Sequence, residues 1–537
     1  MTPETFFQHF EQFADTPNAV AKMRELILQL AVQGKLVPQD PNDEPASVLL
    51  ERIQVEKERL IKEKKIRRGK KLPPIDLDEV PFEVPEGWIN SRLGELVELE
   101  YGKSLPAKTR TESGEYSVFG SNGIVGTHNQ FLVEEPAIII GRKGSAGALN
   151  KANGSFWPTD VTYYVVPPAG IDLNYCYLLL KSLKLDELGK GIKPGLNRSE
   201  AYNLMTGLPP LAEQKHIVAK VDQLMSICDQ LEAQRDARRK TQIQLNQSAL
   251  NSLTTAPDQP SFNNAWTRIR DHFDLLYDHP QTVAQLRQTI LQLAVMGKLV
   301  PQDPNDEPAS VLLERIKVEK ERLIKEKKVR RQKAVQTIDS GDVSIKLPEG
   351  WVVSSIGDVI LFDIGGGTPS KRNPEYWDGD IPWASVKDVG KAKHLDQTID
   401  KITDLGLDKS SSNLVPAGNL IVCTRMGLGK ISINTIDVAI NQDLRALFLP
   451  TEIDIDHFYN YFLTRHVTGS GMTVKGIKRA ELLAMLIPLP PLTEQKRIVT
   501  KVDQLMTLCD QLESQSTNAR DHGQRLLNAT VAGLVAA

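Results

Sequence analysis

Cysteine is scarce in this chain, and the little there is does not cluster. Cys176, Cys228, Cys423 and Cys509 are the only four among 537 residues. Four such scattered thiols make neither a disulfide frame nor a zinc site. The expectation is reduced thiols in a cytoplasmic protein. Long apolar runs are missing as well, since none approaches the roughly 20 residues of a membrane span. The opening MTPETFFQHFEQF lacks the basic stretch and apolar core of a secretory signal. Charge of one sign is also absent. The net charge is −3, which excludes a chain that holds nucleic acid by bulk charge alone. What remains is ordinary globular composition, 40% hydrophobic and 25% charged. The length exceeds one domain at about 150 residues each.

Catalytic signatures are wanting too. RMGLGKIS, at 425–432, lacks the spacing of a phosphate-binding loop and the Ser or Thr after its Lys. There is no HExxH and no GxSxG. No Gly-rich turn opens a helix with an acid about 20 residues on, as a dinucleotide site requires. The nine histidines do not cluster, and His128 and His216 read as structural or exposed residues.

The chain does hold one plan, written twice. KLVPQDPNDEPASVLLERI begins at Lys35 and again at Lys298. Residues 28–68 and 291–331 agree at 38 of 41 positions, with a shift of 263. That shift also carries VPEGW at 84–88 onto LPEGW at 347–351. Further on, LPPLAEQKHIVAKVDQLMSICDQLEAQ at 208–234 returns at 489–515 as LPPLTEQKRIVTKVDQLMTLCDQLESQ, shifted by 281. The second middle segment is therefore 18 residues longer. The two middles, 82–207 and 346–488, share little sequence. Near-constant flanks around divergent inserts suggest a scaffold that places two units symmetrically, each recognising something different.

The scaffold reads as helical. Ile217, Val221, Leu224, Cys228 and Leu231 are spaced by alternate steps of four and three, a coiled-coil seam. Ile498, Val502, Leu505, Cys509 and Leu512 repeat it. Pro209 and Pro210 end the preceding strand, and Glu213 falls in the first helical turn, where an acid suits the dipole. A helix over about 212–250 would span about 60 Å. DPNDEP is a turn. ASVLLERIQVEKERLIKEKKIRR, after it, is an amphipathic helix with a basic far end. Val48 to Lys71 holds ten Lys or Arg against four Glu, which fits a solvated face or a surface for phosphate or a partner subunit.

The inserts read as β-rich. AIII and VTYYVV are buried strands, with Gly141, Arg142, Lys143, Gly144 and Gly147 between them. Glycines let a backbone approach a ligand, and the neighbouring Arg and Lys suit phosphate oxygens or guanine edges. VFGSNGIVGTHNQF, DIGGGTPSKRNPEYWDGDIPW and NLIVCTRMGLGKISINT are similar glycine-punctuated stretches. Overall charge does not mark either insert as a DNA binder. The first has 12 basic and 14 acidic residues, the second 15 and 17.

With PEGW opening each insert, GRKGSAGALNKANGSFWPTD, GIKPGLNRSEAYNLMTGLPPLAEQKHIV and KGIKRAELLAMLIPLPPLTEQKRIV, the chain resembles the DNA specificity subunit of type I restriction–modification enzymes, over nearly its whole length. The resemblance implies an α+β fold. Two α/β target recognition domains, each a mixed β-sheet with helices, are separated by long antiparallel coiled-coil helices in a pseudo-two-fold repeat. The domains expected are an N-terminal helical region 1–81, recognition domains 82–207 and 346–488, a central helical region 208–345 and a C-terminal helix 489–537.

The implied partners are double-stranded DNA, two modification subunits and, through them, two restriction subunits. S-adenosylmethionine, ATP and Mg would sit on those partners, and this chain would bind no cofactor or metal. Candidate DNA contacts are Lys103, Arg110, Asn122, Arg142, Lys143, Lys193 and Arg198 in the first insert. In the second they are Lys371, Arg372, Lys387, Arg425, Lys430, Lys475 and Lys478. The alternatives are a stand-alone DNA methyltransferase or nuclease, and a coiled-coil adaptor that binds only proteins. In many members the GKLVP element follows the last helical arm, whereas here it precedes the first insert, so the order looks cyclically shifted.

Overall fold

A computed structural model describes residues 2–536 apart from 14–15, 17, 67, 69–70, 76–81, 190–194, 330–346, 468 and 470–475. It divides into two units. The first is Met1–Arg239 with Asn518–Ala537, and the second is Lys240–Thr517. Among the described residues, no helix is long and apolar enough to cross a membrane.

Among the described helices, six carry the repeated scaffold: α1 (Ala19–Val32), α2 (Ala46–Lys62), α3 (Leu211–Thr254), α4 (Pro280–Val295), α5 (Ala309–Lys325) and α6 (Leu492–Ala536). The 44 residues of α3 and 45 of α6 give each a length of about 67 Å. Both start directly after a Pro-Pro pair, with Glu213 and Glu494 in their first turns. By the division into units, α3 begins in the first and ends in the second, while α6 does the reverse.

The seam residues of α3 find their neighbours on α1. Ile217, Val221, Leu224 and Cys228 share a buried cluster with Val20, Met23, Ile27 and Leu30 of α1 and with Leu527 and Leu534 from the end of α6. Arg24 on α1 donates to Asp229 at 2.7 Å and to Glu232 at 2.8 Å on α3. The second unit repeats this. Ile498, Val502 and Cys509 of α6 join Val283, Leu286 and Ile290 of α4 and Leu250 and Leu253 from the end of α3. Arg287 reaches Asp510 at 2.5 Å and Glu513 at 3.1 Å. Lys35 Nζ donates to the Val535 carbonyl at 3.0 Å, as Lys298 does to Thr254 and Ala256 at 2.8 and 2.9 Å. So the tail of α6 lies against α1 as the tail of α3 lies against α4.

Each insert folds as two small sheets and a two-stranded ribbon, Ile89–Arg92 with Met205–Leu208 and Val352–Ser355 with Leu486–Leu489, and the strands the two inserts have in common follow one order. In the first domain one sheet runs Glu100–Tyr101, Thr162–Val165, Ala137–Gly141, Leu149–Ala152. In the second it runs Phe362–Gly365, Leu444–Phe448, Leu420–Cys423, Ile431–Asn434, with His394–Leu395 added at the edge. The other sheets are Gly123–His128, Tyr116–Gly120, Phe156–Pro158 and Asp400–Ile402, Trp377–Ala384, Val438–Ile440, Asn413–Val415. In both, a parallel pair sits beside an antiparallel one. The central strand is buried on both faces. Ile138 and Ile140 join the helical cluster, while Ala137 and Ile139 pack with Phe119 and Phe156. Leu420 and Val422 divide from Ile421 and Cys423 in the same way. Strand alternation with both faces covered is what makes AIII and LIVC continuously apolar.

The repeated flanks bolt each domain to its helices. The Ala46 amide at the start of α2 donates to the Gly87 carbonyl at 2.9 Å, as Ala309 does to Gly350 at 2.9 Å. Lys57 reaches the Gly94 carbonyl at 2.7 Å and Lys320 that of Gly357 at 2.6 Å. On α3, Gln214 accepts from the Asp172 amide at 2.8 Å, and on α6 Gln495 accepts from Asp454 at 2.8 Å. The repeated KLVPQDPNDEPASVLLERI is thus the junction between helices and recognition domain.

Candidate nucleic-acid interface

In the first domain the connection from Ala137–Gly141 to Leu149–Ala152 holds Arg142 and Lys143. Gly141 sits where the chain is tightest. A Cβ there would come within 1.9 Å of the Ser145 carbonyl oxygen and 2.5 Å of that of Ser121. The loop is pinned on its other side by an antiparallel bridge between Lys143 and Gly195. Three residues after Gly195, Arg198 starts a short helix, Arg198–Tyr202.

The two arginines share one aromatic ring. The Arg142 guanidinium lies 5.0 Å from the Tyr101 ring centre and that of Arg198 lies 5.2 Å from it. Tyr101 is held by pairing with Tyr163 across the sheet and keeps 49% of its surface exposed. Arg142 also donates to the Asp160 carbonyl at 2.8 Å. Arg198 donates to the Leu99 carbonyl at 3.2 Å and lies 3.7 Å from Glu98. Burial, aided by Tyr101, pushes the Tyr163 hydroxyl up to about 12, so that hydroxyl stays neutral beside the two guanidiniums. A guanidinium carries five N–H donors in a fixed fork, so each keeps donors for phosphate oxygens or a guanine edge.

The second domain repeats the loop with other residues. Arg425 bridges Gly476 as Lys143 bridges Gly195. It lies 3.6 Å from Asp443. Lys430 reaches the Val386 carbonyl at 3.5 Å, beside the turn carrying exposed Lys387. Arg479 starts a helix three residues after Gly476, the place of Arg198. Here an acid replaces the aromatic ring. The buried Asp363 carboxylate holds Arg479 at 2.6 Å and also pairs with Arg445. Burial alone would raise its pKa, but the two guanidiniums outweigh it and hold it below the ordinary value.

The structure brings Arg142, Lys143 and Arg198 together around Tyr101. Exposed Lys103 is two residues from Tyr101, and Asn122 is exposed in the hairpin turn next to Ser121. Arg110 is turned inward, donating to the Leu105 carbonyl at 3.2 and 2.9 Å. Arg425, Lys430 and Lys387 belong to adjoining loops, and exposed Lys478 is two residues past Gly476. Lys371 and Arg372 are exposed in a separate loop before Pro374–Tyr376. Lys193 and Lys475 lie outside the described residues. Sequence reasoning missed Tyr101, Asp363, Arg445 and Arg479. Arg479 could have been found by laying KGIKRAE over KPGLNRSE. Tyr101 carried no signal, because its role depends on a sheet register. Among the described residues, no group of His, Cys, Asp and Glu could hold a metal ion.

Comparison with known proteins agrees with the repeats and the paired domains. The chain matches the type I restriction modification DNA specificity domain family over residues 85–238 and 348–519. It is 33% identical to the EcoAI type I restriction enzyme specificity subunit of Escherichia coli, over 92% of this chain and 90% of that one. It is 32% identical to the EcoEI specificity subunit of the same organism, over 95% and 93%. A chain from a solved type I R-M system is 18% identical, with 85% and 99% covered and a TM-score of 0.47. The chain belongs to the type I restriction–modification DNA specificity family, which bears out the resemblance drawn from PEGW and the PLPPLTEQ-type ends.

Proposed function

We propose that the chain is the non-catalytic DNA-recognition subunit of a type I restriction–modification enzyme and reads a bipartite site, one half with each recognition domain. The observation that carries this is the pair of basic loops at 141–147 and 423–429. Each closes the same hairpin of the same two-sheet domain, and each is bridged to a glycine ahead of an arginine-led helix. Equivalent placement with different side chains is what two different half-sites need. Lys103, Asn122, Arg142, Lys143, Arg198, Lys371, Arg372, Lys387, Arg425, Lys430 and Lys478 are the proposed contacts. Lys193 and Lys475 remain proposals from sequence.

Two modification subunits dock on the helices, and two restriction subunits join through them. The scaffold leaves the same apolar positions exposed twice, as equivalent partners require: Val55 with Val318, Ile227 with Leu508, and Leu245 with Leu526. S-adenosylmethionine, ATP and Mg belong to the partners, and the complex works on cytoplasmic DNA.

Methylome sequencing of a host carrying this chain with its neighbouring modification subunit tests the reading. The expected outcome is methylation at a split site that is lost when this chain is deleted. Methyl transfer, nuclease or ATPase turnover by the isolated chain would sink it in favour of a stand-alone enzyme. No retardation of random duplex at low salt, by chain and modification subunit together, would favour the protein-only adaptor.

A further inference from the structure

The loop of the second domain has one residue that folding does not explain. Six non-glycine residues among those described have a positive φ: Asn18, Lys64, Lys184, Lys327, Asp378 and Met426. Five are polar or charged. Met426, at φ 55°, is the apolar one. Left-handed backbone is uncommon for any residue with a Cβ and is tolerated best by Asn and Asp. The first domain meets the same requirement with glycine. Lys143 and Arg425 are the bridged residues of the two loops, and the next positions are Gly144, at φ 87°, and Met426.

Methionine also brings no packing to this position. It is 66% exposed and joins none of the apolar clusters that the described residues of its domain form. A disfavoured backbone and an exposed apolar side chain therefore coincide at one residue. Strain of this kind persists where the surrounding structure imposes it, and it gathers at binding sites. Met426 directly follows Arg425, and Lys430 stands four residues on, so an apolar tip is flanked by cations. Cations suit phosphate and base acceptors. The apolar group that a base pair displays in the major groove is the thymine 5-methyl.

We infer that Met426 is a specificity-determining residue of the second recognition domain, held out by its loop to meet the 5-methyl group of a thymine in the half-site that this domain reads. This rests on the reading of the 423–429 loop as a DNA-facing element. The first domain has no counterpart, because Gly144 offers no side chain.

The test uses the full chain with its modification subunit, the cognate duplex, and duplexes with deoxyuridine in place of each thymine in turn. M426G should bind the cognate duplex about fourfold more weakly, the factor one buried methyl group sets. One deoxyuridine in that half-site should cost the unaltered protein a similar factor and cost M426G nothing more. M426L should keep most of the affinity. The melting temperature of M426G should be no lower than that of the parent, since glycine relieves the backbone. Unchanged affinity in M426G, with binding weakened in R425A, overturns this inference and leaves the DNA-facing loop standing. Unchanged affinity in both overturns the loop reading as well. A loss in M426G that no deoxyuridine reproduces, as insertion between bases would give, overturns the thymine assignment.

Discussion

The Trp88 indole donates its Nε1–H to Glu213 at 2.8 Å, and Trp351 meets Glu494 at 2.9 Å in the same way. Each carboxylate takes a second bond from a glutamine of the repeated stretch, Gln39 at 3.0 Å and Gln302 at 3.1 Å. One buried acid thus joins PEGW, PQD and the EQ at the head of a long helix, segments 125 and 174 residues apart in the first unit. Burial raises the pKa of both acids, against the pull of these donors. Three segments meeting at one charge explain why their spacing and letters recur while the inserts differ.

Trp88→Phe and Trp351→Phe each remove one donor from a buried carboxylate. Each should cost about 1–3 kcal/mol. The two losses should add, because the sites share no partner. Chemical denaturation of the single and double variants measures this, and unchanged midpoints would discount the junction.

His457 gives a pH dependence. Its imidazole is buried in the helix Ile455–Leu463, and neither ring nitrogen has a hydrogen-bond partner among the described residues. Desolvation pushes its pKa down to about 4 from 6.5. The unfolded chain therefore binds the proton more readily, and stability falls as pH drops from about 6.5 towards 4. His457→Leu should flatten that limb in thermal melts taken between pH 4 and 7. An unaltered slope would place the acid sensitivity elsewhere.

Tyr101 holds two of the proposed DNA-contacting arginines against its ring. Tyr101→Phe keeps the ring and should leave the site unchanged. Tyr101→Ala frees both guanidiniums and should weaken binding by about 1 kcal/mol while relaxing the first half-site alone. Methylome sequencing of the two variants separates these outcomes. Relaxation in the second half-site would refute the assignment.

Alanine at Arg142, Lys143, Lys371, Arg372 and Arg425 should sort the contacts. A base-reading arginine should cost about 1–3 kcal/mol and relax one position, whereas a phosphate-bound lysine should weaken all sequences alike and lower the salt slope by about one. Exchanging residues 82–207 for a relative's insert should change one half-site and leave the other half and the gap intact. Changes in both halves would end the modular reading.

Much of the fold was legible because it repeats. The helix expected over about 212–250 spans Leu211–Thr254, AIII lies within the strand Ala137–Gly141, and VTYYVV contains the strand Thr162–Val165. The common topology of the inserts was not legible. Ile138 and Leu420 need only be apolar, and at the loop Arg142 stands where Thr424 does. The gathering of Arg142 and Arg198 on Tyr101 was hidden too, since it follows from the Tyr101–Tyr163 register rather than from neighbours in the chain. Charge counts hid Asp363, one acid among many until the fold buries it between two arginines.

The tail of α6 has a consequence for how such a gene can be cut. It fills against α1 the seat that the tail of α3 fills against α4. A polypeptide running from residue 259 to 536 would lack the α3 tail that completes the second unit and would carry the α6 tail in its place. Two copies that traded tails would each supply the other's missing segment, and on the proposed function a gene of half the length would specify a homodimer reading one half-site twice.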